Sequence, residues 1–236
     1  MSALETFQPS SIDLANRRIR AAQASGGTSG NAIYEAVLRV VNEFQLRGDL
    51  LDFGSGTGLL TRQLEGTKRF ATITAADLMP RPASLDENIA WIAADLNEPL
   101  PYDAARFDII VSAEVIEHLE NPRFLAREMF RLLRPGGALL LTTPNNESWR
   151  SLLSLLVRSH HVAFGDGSYP AHITPLLRVD LRRILAEAGF EPPIFRYTNE
   201  GGLPGHPTVS WQEISAGLLA GVRFSDNFLA FSRKLS

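Results

Sequence analysis

Apolar residues recur along this chain in two periods, and the switches between them lay out its elements. In residues 32–44 the positions Ile33, Ala36, Val37, Val40, Val41 and Phe44 fall three and four apart, which predicts an amphipathic helix ended before Gly48. Residues 50–53 read as a short strand running into Gly54-Ser55-Gly56-Thr57-Gly58, and residues 59–64 resume as a helix. Residues 70–76, 89–94 and 107–112 read as the second, third and fourth strands. The last of these is a nearly unbroken apolar run, as expected of a strand covered on both faces. Helices are expected in the gaps between strands. Residues 122–133 predict a helix stopped by Arg134-Pro135-Gly136-Gly137, and residues 138–143 a fifth strand.

The repeated strand-then-helix order predicts a doubly wound α/β sheet with right-handed crossovers. Downstream the pattern is less regular. Residues 148–157 and 178–188 read as helices, the latter closed by Gly189. Residues 195–198 and 228–232 read as late strands with a helix at 211–219 between them, and 160–172 as a loop rich in Gly, His and Tyr. Residues 1–31 form an arm with scattered apolar positions and the loop-like stretch 24–30, suited either to a lid or to a frayed terminus. Residues 32–236 are expected to be one domain.

Composition narrows the function classes. The chain has 236 residues, 44% hydrophobic and 21% charged, with a net charge of −3. A pI near 6.0 and the lack of any Lys/Arg run argue against a nucleic-acid partner. Cysteine is absent, which removes disulfides, thiolate metal sites and cysteine nucleophiles. Residues 1–20 mix Glu5, Asp13, Arg17, Arg18 and Arg20 among apolar positions, so a signal peptide is not expected. With no stretch of ~20 apolar residues either, a cytoplasmic protein without a membrane span is expected.

The chemistry concentrates at strand ends. Glycines between a strand and a helix let a ligand approach the backbone, and a helix N-terminus offers amides to an anionic or adenosyl-bearing group. A dinucleotide fingerprint spaces its second and third glycines three apart; here Gly56 and Gly58 are two apart. Asp52, just before the first glycine, suits a ligand ammonium, which nicotinamide cofactors lack. Asp77 and Asp95 close the second and third strands, so three acids line up along the crevice where open α/β sheets bind ligands.

These residues, with Phe107 through His118 (Phe-Asp-Ile-Ile-Val-Ser-Ala-Glu-Val-Ile-Glu-His) and Leu133-Arg134-Pro135-Gly136-Gly137, resemble the class I S-adenosylmethionine-dependent methyltransferases. Thr142-Thr143-Pro144-Asn145, Glu187-Ala188-Gly189-Phe190 and the stretch 226–231 are similar to the branch that holds ubiquinone-biosynthesis-type small-molecule enzymes. The resemblance implies a seven-stranded Rossmann-like sheet, mostly parallel with an antiparallel last strand, and helices on both faces. It implies S-adenosylmethionine as cofactor, with Asp52 and the amides of Gly54, Ser55, Gly56 and Gly58 on its methionyl part. Asp77 and Leu78 then fall to the ribose, Asp95 and Leu96 to the adenine, and Ala113 and Glu114 to the sulfonium end. Base-amine enzymes of this superfamily carry an Asn/Asp-Pro-Pro-aromatic motif where this chain has Ser112-Ala113-Glu114-Val115, so a small-molecule acceptor is expected, methylated on oxygen.

Proton acceptors for that reaction are sought among His118, His160, His161 and His172, with His172 and His118 preferred. No metal-ligand cluster stands out. The segments 145–178 and 199–225 are expected to build the acceptor pocket or a cap. The apolar residues Trp149, Leu152, Leu153, Leu155 and Leu156 suit core packing, a homodimer face or an acceptor wall. An NAD(P)-dependent oxidoreductase and a catalytically silent cofactor-binding protein remain the alternatives.

Overall fold

A computed structural model describes residues 11–235, so the first ten residues of the expected arm lie outside the described residues. Helices α1 (Ser11–Ser25) and α2 (Asn31–Glu43) lead into β1 (Gly48–Phe53), α3 (Leu59–Gly66), β2 (Phe70–Asp77), β3 (Ala90–Ala93) and β4 (Phe107–Ala113). Then follow α4 (Pro122–Leu132), β5 (Leu133–Pro144), α5 (Trp149–Arg158), α6 (Arg178–Ala188) and β6 (Ile194–Tyr197). The chain closes with β7 (Gly202–Leu203), β8 (His206–Ser210), α7 (Trp211–Ile214) and β9 (Asn227–Arg233).

Seven strands form one sheet in the order β3-β2-β1-β4-β5-β9-β6. All pairs from β3 to β5 are parallel, and β9 runs antiparallel to both β5 and β6. The sheet is therefore the doubly wound, mostly parallel one expected, with the antiparallel last strand set one place in from the edge. Strand order reverses between β1 and β4, and that reversal opens a crevice at their carboxyl ends.

Side chains alternate across the sheet and seed a core on each face. Leu50, Ile109, Leu140 and Leu229 pack under Val37 and Val41 of α2 and Leu64 of α3. Leu51, Phe53, Ile110 and Leu139 pack on the other face under Leu125 and Met129 of α4 and Leu181 and Ile184 of α6. Helix α4 starts where Asn121 caps the Phe124 amide and Pro122 supplies a preset first turn.

Several sequence expectations need correction. The connections β2–β3 and β3–β4 hold no helix among the described residues. Pro80 and Pro82 interrupt the first and Pro99 and Pro101 the second, removing the amides a helix needs. The helix expected over 211–219 is a single turn, because Ala216 and Gly217 take left-handed backbone just beyond it. Strand β5 starts five residues early, pairing Leu133 with Phe107 before a register shift. Helix α1 and the β7–β8 hairpin, turned at Pro204-Gly205, are additions to the expected elements. The apolar residues of α5 are not core: Leu156 is 82% exposed and Trp149 49%.

These burials predict unequal costs. Phe107→Ala, at a position with no exposure and edge-on to Tyr102, should lose about 3–5 kcal/mol in chemical denaturation. Leu156→Ala should change stability by less than about 0.5 kcal/mol; equal losses would contradict the assignment of α5 to the surface.

Candidate functional site

Above the crevice lies a cavity of ≈ 1130 Å³. It gathers residues far apart in sequence: Asp52, Gly54, Ser55, Gly56, Asp77, Leu78, Asp95, Leu96, Ala113, Glu114, His118 and His172 all line it. Of the expected site residues, Gly58 does not; it caps the start of α3 with a left-handed φ of 75°. His160 and His161 also lie outside the lining. His160 pairs with the His161 carbonyl and His161 with the Ser151 hydroxyl.

The turn after β1 is glycine by necessity at two positions. Gly54 has φ +83°, and a Cβ there would stand 2.3 Å from a Val115 methyl. Gly56 has φ +53°, and its Cβ would stand 2.1 Å from the Gly27 carbonyl oxygen. The amides of this turn are engaged within the protein, contrary to the expectation of free donors. Those of Gly54 and Ser55 reach the Ala76 carbonyl at 2.8 and 3.1 Å, that of Thr57 the Gly27 carbonyl at 2.9 Å, and that of Gly58 the Ser55 carbonyl. The Gly56 amide donates to Asp77 Oδ2 at 2.8 Å. The turn is thus shaped by its own hydrogen bonds, and it offers a ligand space more than donors. Ser55 supplies one polar exception, since its hydroxyl is buried and has no protein partner.

The three acids differ in their surroundings. Asp52 is buried, accepts the Thr61 hydroxyl at 2.5 Å, and is pushed up to about 7, chiefly by burial with the nearby Asp77 charge adding to it. Asp77 accepts the Gly56 and Met79 amides, one on each oxygen. Asp95 is held below the ordinary carboxylate range: burial favours its neutral form, but the Asn97 amide and the Arg18 guanidinium at 2.7 Å outweigh it.

Beyond β4 a second set forms. Glu114, at φ +55°, accepts from the Thr142 hydroxyl at 2.7 Å and the Asn227 amide at 2.8 Å, and burial pushes it up to about 7. Glu117 is wholly buried; its Oε2 accepts from Thr143, its carboxyl lies within hydrogen-bonding reach of that of Glu114, and desolvation with the Glu114 charge pushes it well up. The rings of His118 and His172 meet edge to face at 4.8 Å. Each Nδ1 faces a backbone carbonyl, Ala171 at 2.9 Å and Ala163 at 2.7 Å, which selects the tautomer that leaves Nε2 basic. Desolvation lowers both imidazoles, so they are neutral at pH 7.

Glu117, His118 and His172 each bring one ligand-type atom to within 4.8 Å of the others. Imidazoles whose second nitrogen is tied to a carbonyl, with a buried carboxyl beside them, suit a divalent cation as well as they suit proton transfer. Sequence reading misses this cluster because His172 reaches His118 only through the fold. Within the segments expected as a lid (1–31) and as an acceptor pocket or cap (145–178), the sequence does not single out Leu14, Arg18, Ala21, Tyr169, Pro170 and Ile173, which complete the lining. No residue of 199–225 lines this cavity.

Comparison with known proteins agrees with this geometry. A family described as a methyltransferase domain matches residues 25–192. A malonyl-acyl-carrier-protein O-methyltransferase of Hahella chejuensis is 37% identical over 101 residues, 40% of this chain and 36% of that one. The ubiquinone biosynthesis O-methyltransferase of Psychrobacter arcticus is 27% identical over 155 residues, 60% of this chain and 58% of its own. The chain thus spans from about a third to about three-fifths of the length of these relatives. Among solved structures, a Burkholderia thailandensis 1,6-didemethyltoxoflavin-N1-methyltransferase, bound to its substrate and S-adenosylhomocysteine, shares the fold. Its TM-score is 0.62 at 16% identity, covering 97% of this chain and 91% of that one. The oxidoreductase alternative is set aside by the family match. With that match over residues 25–192, the chain belongs to the methyltransferase-domain family.

Proposed function

We propose that the chain methylates an oxygen of a small-molecule acceptor, with His118 and His172 as the groups that receive the acceptor's proton. The observation that carries this is the pair of neutral imidazoles at 4.8 Å, both in the wall of the cavity that holds Asp52 and Asp77. Two relatives named as O-methyltransferases support oxygen as the target. A cavity of ≈ 1130 Å³ slightly exceeds the ~300–1,000 Å³ of ordinary ligand pockets, room for a cofactor and an acceptor together.

The fit to S-adenosylmethionine rests on the orphaned Ser55 hydroxyl and on a cavity whose lining brings Asp52, Asp77 and Asp95 together with the glycine turn. When bound, the cofactor supplies a methyl carbon already activated by a cationic sulfur. The chain binds and orients it: Asp52 and Ser55 suit the amino-acid end, Asp77 and Leu78 the ribose, Asp95 and Leu96 the adenine, and Ala113 and Glu114 the reacting end. Position supplies most of what a displacement needs, up to roughly 7–11 kcal/mol for well-aligned groups. His172 Nε2 or His118 Nε2 takes the hydroxyl proton as the new bond forms, and the Nδ1 contacts hold the rings in place.

A second reading has its own support in the buried Glu117 carboxyl beside the two imidazoles. There a divalent cation lowers the acceptor hydroxyl's pKa in place of a base. Exhaustive chelation separates the two: undiminished turnover fits imidazole bases, whereas loss of turnover restored by a divalent cation assigns the cluster to a metal.

Three variants test the assignment. Asp77→Ala should weaken S-adenosylhomocysteine binding by roughly tenfold or more, the scale of a missing charge-assisted hydrogen bond, with an unchanged circular dichroism spectrum. His172→Ala should lower kcat by about 10²-fold or more, the usual weight of acid–base catalysis, at unchanged cofactor affinity; full activity on the true acceptor would remove it as a base. Asp52→Asn tests the buried acid through pH. A carboxyl whose folded pKa lies near 7, above its unfolded 3.8, contributes stability that is lost as pH rises between those values. The variant should therefore match or exceed the wild type in thermal stability at pH 8, while binding the cofactor more weakly. A lower Tm or undiminished binding would contradict this.

A further inference from the structure

Helix α1 is held to the protein in an unusual way. It is fifteen residues long, yet none of its described side chains belongs to the buried core. Residues Leu14, Arg17, Arg18, Arg20, Ala21 and Ser25 of the helix instead line the cavity shared by Asp52, Asp77 and Asp95. A helix without core burial has little to keep it closed beyond its polar contacts, and such elements open at small cost.

Three ion pairs of the helix meet on one side chain, Arg18. The Arg18 guanidinium reaches Asp95 at 2.7 Å, Glu98 at 3.1 Å and Glu120 at 2.7 Å, and is itself only 14% exposed. The three carboxylates come from the segments following β3 and β4, so one cation ties α1 to the rim of the crevice across two loops. At the other end of the helix, Gly26 and Gly27 stand in left-handed backbone at φ +72° and +62°. A Cβ on Gly26 would meet nothing within 4 Å, and the Gly27 carbonyl accepts the Thr57 amide of the glycine turn. Two consecutive glycines beside a single backbone contact form a hinge in chemistry and in position.

We propose that α1 is a lid that gates cofactor exchange, hinged at Gly26–Gly27 and latched by Arg18 on Asp95, Glu98 and Glu120. It rests on the reading above that this cavity holds the cofactor. Asp95 is common to the latch and to the adenine subsite: one of its oxygens meets Arg18 and the other the Asn97 amides. An adenine amine arriving there shares or displaces Arg18, and Glu98 and Glu120 keep the lid closed meanwhile. Opening the lid also frees the Thr57 amide, the one donor of the glycine turn whose acceptor lies in the arm. Empty and loaded protein thus close through different partners of the same arginine.

The test is the exchange rate of S-adenosylhomocysteine, measured by stopped-flow or biosensor on the full chain and on the Arg18→Gln and Glu120→Gln variants. Loss of the guanidinium should speed dissociation roughly tenfold, the weight of one charge-assisted hydrogen bond in the closed state. Glu120→Gln, which leaves Asp95 and its arginine paired, should speed it by a smaller factor. Because Glu98 and Glu120 are 63% and 43% exposed, raising ionic strength should speed exchange in the wild type and not in Arg18→Gln. Unchanged rates in both variants, or equal salt response in wild type and Arg18→Gln, would overturn the latch while leaving the cofactor site standing. A wild type that does not bind S-adenosylhomocysteine would overturn the site and the lid together.

Discussion

Asp52 and Glu114 sit at the carboxyl ends of neighbouring strands, Asp52 buried and Glu114 half-buried, and their hydrogen-bond donors Thr61, Thr142 and Asn227 carry no charge. Desolvation pushes both carboxyls up to about 7, so a cation arriving beside them draws out their protons. S-Adenosylmethionine carries two positive groups, an ammonium and a sulfonium, and these two acids in the lining of one cavity match them in sign. The rest of the site follows from keeping these acids dry. Two helical layers cover the sheet, the glycine turn has its amides satisfied within the protein, and α1 roofs the crevice with Arg18 placed on Asp95.

This arrangement explains why the site costs the fold little. The acids lie where strand order reverses between β1 and β4, the place at which a parallel sheet already leaves a gap. Below them, Leu50, Leu51, Phe53, Ile110 and Val111 have no measurable exposure. At the rim, Gly54, Gly56 and Glu114 take backbone with positive φ that turns the chain at the cavity.

The sheet and the cofactor crevice are legible in the sequence because both depend on local signals. Period-two apolar runs, one glycine turn and an aspartate at each strand end are short-range patterns, and the strands they mark lie next to one another. What is not legible depends on contacts between distant segments. The approach of His172 to His118 rests on the fold of 160–172, which has little periodicity to read. Helix α1 is amphipathic only toward a cavity, so its inner face mixes Arg18 with Leu14 and Ala21, and its pattern resembles a solvated arm. The expectation of helices in the links after β2 and β3 follows the βαβ habit of the fold, although Pro80, Pro82, Pro99 and Pro101 already speak against it. The apolar face of α5 cannot be told from core by pattern alone, since both give the same spacing.

The central claim is that Asp52 and Glu114, both pushed up to about 7, give up protons to receive a doubly cationic ligand. Calorimetric titration of S-adenosylmethionine near pH 6.5, repeated in buffers of different ionisation enthalpy, counts the protons exchanged on binding. The account predicts proton release, and a smaller release with S-adenosylhomocysteine, which lacks the sulfonium charge. Binding with no proton exchange, or with uptake, would contradict it.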